Sequence, residues 1–346
     1  MPRQREWTER DLHILQELYE LRELTKRQIA TKHFASEKYA NKRLYIMKRE
    51  GLITTKVYGN RTSGQTLTAA YVRLTETGMD LLVERGLLDN KNYRARDLGL
   101  SIQQRQYITD ANELFVQIPE VPFMDSREIK KKYHLNRGNL TIGGFSSSEG
   151  DYMIFILMAD AKSQTMIKII NEIKRQLKMQ GYLIYYKSES VKRAFESLCD
   201  KQGLVTGGVP VHLLPFDKLG IAMTRHCILS TKAFLSLQAV LSEYGQLTKV
   251  KEGSSKHGFL YGMRRDDALP TPYVIELLTG DILITKRCLK NFNVDAYQRE
   301  GRRVLLFCFE EDLEWYKQEL LSAAHVDIVG IPKSEFESHF EGGDAG

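Results

Sequence analysis

Three helix-start signals and one hairpin signal follow each other between residues 8 and 75, and together they leave few folds open. Thr8 precedes an acidic first turn and can cap a helix through Asp11. Leu12, Leu15, Leu18, Tyr19 and Leu21 then recur at helical spacing, which gives this helix one buried face. Thr25 caps a short second helix, Lys26 to about His33, anchored by Ile29 and Ala30. Ser36 is placed to cap a third helix that runs to about Glu50, and Gly51 ends it. Two β-rich runs follow, Leu52–Tyr58 and Gln65–Leu74, joined by the Gly/Asn/Ser segment Gly59–Gly64, and they read as a hairpin. A capped helix within Tyr71–Leu82 is expected to pack behind it. This succession predicts a winged helix-turn-helix over residues 1–86.

The charge distribution points the same way. The whole chain carries +6, and residues 32–61 hold that entire surplus: Lys32, Lys38, Lys42, Arg43, Lys48, Arg49, Lys56 and Arg61 against Glu37 and Glu50. Residues 1–31 balance six basic against six acidic side chains, and the remaining chain balances 36 against 36. A compact basic patch on an otherwise neutral chain suits a polyanion, whose condensed counterions are released on binding. On the third helix, the roughly 100° step per residue puts Ala40, Leu44 and Met47 on one side. Lys38, Asn41, Lys42, Tyr45 and Arg49 fall on the other. An Asn can pair with adenine in two places, and a Lys with guanine or phosphate. Lys56 and Arg61 on the hairpin are placed for the phosphate backbone or the minor groove. These seven residues are the expected contacts to double-stranded DNA.

The runs Arg43-Leu44, Lys48-Arg49-Glu50-Gly51-Leu52-Ile53 and Tyr71-Val72-Arg73-Leu74-Thr75-Glu76-Thr77-Gly78 resemble the winged-helix pattern of bacterial DNA binders. More narrowly, Trp7-Thr8-Glu9-Arg10-Asp11 with Leu24-Thr25-Lys26-Arg27-Gln28-Ile29 resembles the replication-relaxation family of plasmids, phages and integrative elements of Gram-positive bacteria. The similarity is clear over residues 1–85 and faint over 105–190. It implies a role in replication, mobilisation or gene control of a mobile element. Some members of that family resemble PD-(D/E)xK nucleases in a second domain, which implies a degenerate restriction-endonuclease-like scaffold here.

Beyond residue 86 the chain is polar to about residue 108, and a linker or short helix is expected over 87–108. Strands are expected at Asn139–Phe145, Tyr152–Ala159, Tyr182–Tyr186, Val211–Pro215, Asp281–Thr285, Arg303–Phe309 and Val326–Ile331. Helices are expected at Ser163–Met179, Ser190–Lys201, Thr231–Tyr244 and Asp312–Ala323. Such alternation argues for α/β layering, with one α/β domain over 109–216, a second or its continuation over 217–335, and a flexible tail over 336–346. The fold class is therefore α/β and multi-domain, led by the winged helix-turn-helix.

Catalytic candidates are sparse. Asp160-Ala161-Lys162 supplies a D-x-K at the end of an expected strand, where a nuclease holds Mg²⁺ and orients water. The acid required upstream is missing from Asn139–Gly144, and Asp125 and Asp151 are poorly placed to replace it. A nickase needs two histidines on one strand, whereas His212 has no partner two residues away. His212, Tyr185 and Tyr186 are expected to be packing residues. Gly143-Gly144 and Gly207-Gly208 read as short turns, Lys249–His257 as a basic loop, and no nucleotide-binding P-loop occurs. The spacing of Cys199, Cys227, Cys288 and Cys308 fits no zinc site, so free thiols of a cytoplasmic protein are expected. No metal or other cofactor is expected unless the nuclease alternative holds. The polar opening Met1–Glu6 argues against a secretory leader, and the longest apolar run, Met153–Ala159, is too short for a bilayer. The expected partners are duplex DNA, a second copy of the chain and replication or transfer proteins. The alternatives are a targeted metal-dependent nuclease or nickase, and a repressor with a sensing C-terminal domain.

Overall fold

The computed structural model describes residues 6–62, 65–89, 94–250, 257–265 and 270–341, with side chains at 58–62, 65–69, 230–233 and 339–341 left out. The chain forms two compact units, residues 1–120 and 121–346.

In the first unit, α1 (Glu9–Leu21), β1 (Leu24–Thr25), α2 (Lys26–His33) and α3 (Glu37–Arg49) precede the hairpin of β2 (Ile53–Thr62) and β3 (Gln65–Leu74), and α4 (Glu76–Glu84) follows. The sheet order is β1-β3-β2, antiparallel throughout, with Leu24 opposite Val72 and Ile53 opposite Leu74. The elements follow one another in the order read from the sequence. Thr8 and Thr25 each close a reciprocal capping box, with Asp11 and with Gln28. Ser36 occupies the cap of α3 without a side-chain hydrogen bond. Ile14, Leu15, Leu18, Ile29, Ala40, Leu44, Met47, Val72, Met79 and Leu82 are buried and form the core.

The expected linker contains a 3₁₀ turn, Ala95–Leu98, and the start of α5 (Ile102–Gln117). This helix belongs to the first unit. Its Ile108, Ala111 and Leu114 are buried, and Gln28 Nε2 donates to the Thr109 carbonyl at 2.9 Å. The polar run Gln103-Gln104-Arg105-Gln106 disguises α5 in the sequence.

The second unit begins with β4 (Phe123–Asp125), α6 (Ser126–Lys132), β5 (Gly143–Ser146), β6 (Asp151–Leu157), α7 (Ser163–Arg175), β7 (Gly181–Tyr186), α8 (Glu189–Lys201) and β8 (Val211–Pro215). After α9 (Lys218–Ile228) and α10 (Ser230–Val240) come β9 (Gln246–Lys249), β10 (Tyr261–Arg264), β11 (Tyr273–Glu276), α11 (Ile284–Asn291), α12 (Val294–Glu300), β12 (Val304–Phe309), α13 (Leu313–Glu319), β13 (Val326–Ile331) and α14 (Lys333–Glu341). Two five-stranded sheets result, β4-β5-β6-β7-β8 and β9-β10-β11-β12-β13. In each, the first two pairings are antiparallel and the last two parallel, with helices making the parallel crossovers. One connectivity is thus used twice.

Strands β6, β7 and β12 are buried along their whole length, as strands covered on both faces must be. The expected strand Asp281–Thr285 is instead a turn leading into α11. The Asp281 carboxylate accepts from Leu283 N at 3.1 Å and Val211 N at 3.2 Å, which turns the chain and fastens it to the free edge of β8. Leu213 N to the Gly280 carbonyl and Ile282 N to the Val211 carbonyl complete that seam. Gly143 and Gly144, read as a turn, lie in β5: a Cβ on Gly144 would stand 2.7 Å from the Tyr152 carbonyl oxygen. All four cysteines are free. Among the described residues no helix is long and apolar enough to cross a membrane.

Candidate nucleic-acid interface

The site is built around α3, whose seat is decided at its buried edge. Arg43 lies between the two faces of the helix and turns inward. Its Nε donates to Asp11 Oδ1 at 2.7 Å and a terminal guanidinium nitrogen donates to Asp11 Oδ2, so α3 is clamped to α1. Asp11 is fully buried and also accepts from Thr8 N at 2.8 Å and Thr8 Oγ1 at 2.6 Å. Burial opposes its ionisation, but the bonds from Arg43 and Thr8 outweigh it and hold the carboxyl below its ordinary range. The guanidinium also lies 5.3 Å from the centre of the Trp7 ring.

A second cation of the basic strip is likewise internal. Lys32 pairs with Glu17 at 2.9 Å and sits over the Phe115 ring at 3.2 Å, while His33 reaches the other Glu17 oxygen at 2.7 Å. Burial raises the pKa of Glu17, but His33 and Lys32 bring it below the ordinary value.

The opposite side of α3 is open. Lys38, Asn41, Lys42, Tyr45 and Arg49 are all exposed, Tyr45 by 64%, and Ala40, Leu44 and Met47 beneath them are buried. Lys38, Asn41 and Lys42 form no ion pair or hydrogen bond with another described side chain. Lys48, beside this face, is free in the same sense. Arg49 meets the adjacent Glu50 at 3.0 Å with both groups solvated, a pairing worth little. On the hairpin, Lys56 is exposed opposite Tyr71 and next to Val57, itself 65% exposed. Arg61 pairs with Thr66 in the strand register, and its side chain lies outside the described residues. The structure thus brings Lys38, Asn41, Lys42, Tyr45 and Arg49 onto one face, and it withdraws Arg43 and Lys32 from the strip.

The sequence reading missed a buried group behind this face. Glu23 has its carboxylate 2.6 Å from Arg105 Nε of α5 and 3.8 Å from Arg73 Nε of β3, which ties the hairpin, the α1–α2 turn and α5 together. Tyr71 Oη is pushed up first by burial and then by Glu23. In the sequence Glu23 stands between Arg22 and Leu24 with nothing to mark it as buried.

The D-x-K residues are placed differently from the expectation. β6 ends at Leu157, so Asp160 and Lys162 lie in the exposed turn before α7, with Lys162 at its cap. Asp151 is bound by Lys132, Tyr133 and Ser146, and Asp125 caps α6. Among the described residues no group of three His, Cys, Asp or Glu side chains is gathered to hold a metal ion. His212, Tyr185 and Tyr186 are buried; Tyr185 shares a hydrogen bond with Thr224 at 2.5 Å.

Searches among curated proteins and among solved structures gave no match. A family model does match, over the stretch that runs from α1 through α5. Residues 15–121 match the model of the replication-relaxation family.

Proposed function

We propose that the chain binds duplex DNA sequence-specifically on behalf of a mobile element, in replication initiation, mobilisation or control of the element's genes. The reading places α3 in the major groove, with Asn41 and Lys42 facing base edges, and Lys38, Tyr45 and Arg49 on bases or flanking phosphates. Lys56 and Arg61 of the hairpin approach the backbone beside it. The observation that carries this reading is the exposed face of α3, where five polar side chains stand together opposite a buried Ala40-Leu44-Met47 stripe. The match to the replication-relaxation family, over the segment containing that helix, supports the replication role. Two copies on a two-fold pair of half-sites multiply specificity, and a homodimer on DNA is part of the proposal.

The test is selection of bound fragments from host and plasmid DNA, followed by gel-shift titration of the selected site. Enrichment of one motif at a replication origin, a transfer origin or promoters supports the reading and separates its three roles. Recovery of no motif, with equal affinity for unrelated duplexes, sinks it.

A further inference from the structure

The second unit contains a concavity that DNA binding does not use. It measures about 430 Å³, within the range of small-molecule pockets. One wall is the loop Gly203–Gly208 between α8 and β8, which folds back through glycines at positive φ at 203, 207 and 208. The other wall is one face of α11. The floor is Cys199, Leu204 and Leu283, all buried and all part of the core under the first sheet. Arg287 of α11 donates to the Gly208 carbonyl of the loop and to Asp281, and Lys286 pairs with Asp200 in the last turn of α8.

Its large apolar side chains, Leu204, Val205 and Leu283, are aliphatic, and the lining contains no aromatic ring to stack a base. Val205, at the rim of the loop wall, is 74% exposed, an unusual position for a valine. The polar lining is lopsided: three cations, Lys286, Arg287 and Lys290, against the single carboxylate of Asp200. Asp200 and Asp281 already occupy Lys286 and Arg287. Lys290, one helical turn beyond Lys286, is exposed and pairs with no described residue. An occupant must match an aliphatic floor at one end and a solvated ammonium at the other.

We infer that this cavity is a binding site for an aliphatic carboxylate, whose chain lies on Leu204, Leu283 and Val205 and whose carboxylate meets Lys290. Apolar contact supplies the affinity and the ammonium fixes the orientation.

The test is calorimetric titration of the full-length chain with dodecanoate below its micelle concentration. Saturable binding of one equivalent is expected, weakening about fourfold for each methylene removed. Dodecylamine, with the same tail and the opposite charge, is expected to bind at least tenfold more weakly. Lys290→Glu and Val205→Asp, both at exposed positions, are each expected to weaken dodecanoate at least tenfold while leaving the circular dichroism spectrum unchanged. Absence of saturable binding overturns the inference. So does an affinity shared with dodecylamine, or one indifferent to both substitutions. Because no DNA is present, failure here leaves the proposed DNA function untouched, and the reverse also holds.

Discussion

Arg43 of α3 holds the buried carboxylate of Asp11 on α1 with two of its nitrogens. The pair fixes the pitch of α3, and with it the direction in which Asn41 and Lys42 point. A guanidinium suits the task because its planar fork matches a carboxylate in two places. Replacing Arg43 with Met leaves Asp11 without its charge partner in a closed site. Loss of one partner of a buried pair costs about 3–5 kcal/mol, and partial access of water to Arg43 puts the expected loss at the lower end. Urea denaturation at neutral pH measures it. The acid limb offers a second reading. Asp11 has a folded pKa below its unfolded value, so its contribution is present above the unfolded pKa near 3.8 and is lost as pH falls through the folded one. Wild-type stability should fall with this group over that interval, and Asp11→Asn should remove its share of the slope.

DNA contacts divide by what each residue is proposed to touch. Asn41→Ala and Lys42→Ala are expected to weaken the selected site by about 1–3 kcal/mol each and to relax its sequence preference. Lys56→Ala and Arg61→Ala should weaken all duplexes alike and reduce the slope of log affinity against log salt by about one each. Lys32→Met serves as the contrast. Its ammonium is engaged by Glu17 and Phe115, so affinity should stay within about twofold. Equal losses on every duplex for Asn41→Ala would take it off the list of base-reading residues.

Gly78 of α4 packs closely against Leu52 and Leu74 at the base of the hairpin. A Cβ there would lie 2.4 Å from the Leu52 carbonyl oxygen and 2.6 Å from Leu74 Cδ1. Thr75, the cap of α4, bonds to the same carbonyl, so the helix cannot retreat without losing that bond. Gly78→Ala is expected to cost about 1–3 kcal/mol through overpacking, read as a lowered melting temperature. An unchanged melting temperature would mean that α4 shifts freely.

Glu276, at the end of β11, is buried and accepts from Thr279 N at 3.0 Å and Thr279 Oγ1 at 2.8 Å. Burial pushes its carboxyl up to about 7. Here the native state holds a proton that the unfolded chain releases near pH 4.5. Stability from this group is full below pH 4.5 and is lost as pH rises toward 7. Glu276→Gln is therefore expected to flatten the decline of stability between pH 5 and 7. Denaturation curves at three pH values decide it; parallel wild-type and variant profiles would reject the assignment.

The nuclease alternative is tested directly with supercoiled plasmid and Mg²⁺ or Mn²⁺. Asp160 sits in an exposed turn, and no group of three metal-ligating side chains is gathered among the described residues. The plasmid is expected to remain intact, and any nicking is expected to be the same for Asp160→Ala. Cleavage that the substitution abolishes would make the chain an enzyme.

Local chemistry wrote the elements from α1 to α4 into the sequence, though not α5. Thr8 and Thr25 cap helices through side chains three residues away, and the phases of Ala40-Leu44-Met47 and of Lys38-Asn41-Lys42-Tyr45 are fixed by helical geometry alone. Such signals act within one or two turns, so they can be read without knowing the fold. The parallel strands Gly181–Tyr186 and Val304–Phe309 of the second unit are equally legible as continuous apolar runs. Tertiary structure decided what depends on partners distant along the chain. Arg43 and Lys32 look like members of the basic strip until α1 supplies Asp11 and Glu17. Asp281 looks like the start of a strand until β8 presents its edge. The strands Gln246–Lys249, Tyr261–Arg264 and Tyr273–Glu276 are four residues each, too short for periodicity to reveal, and they exist because neighbours pair with them. A charge is assigned to solvent or to a carboxylate by which groups folding brings within hydrogen-bond reach, and sequence spacing carries no record of that.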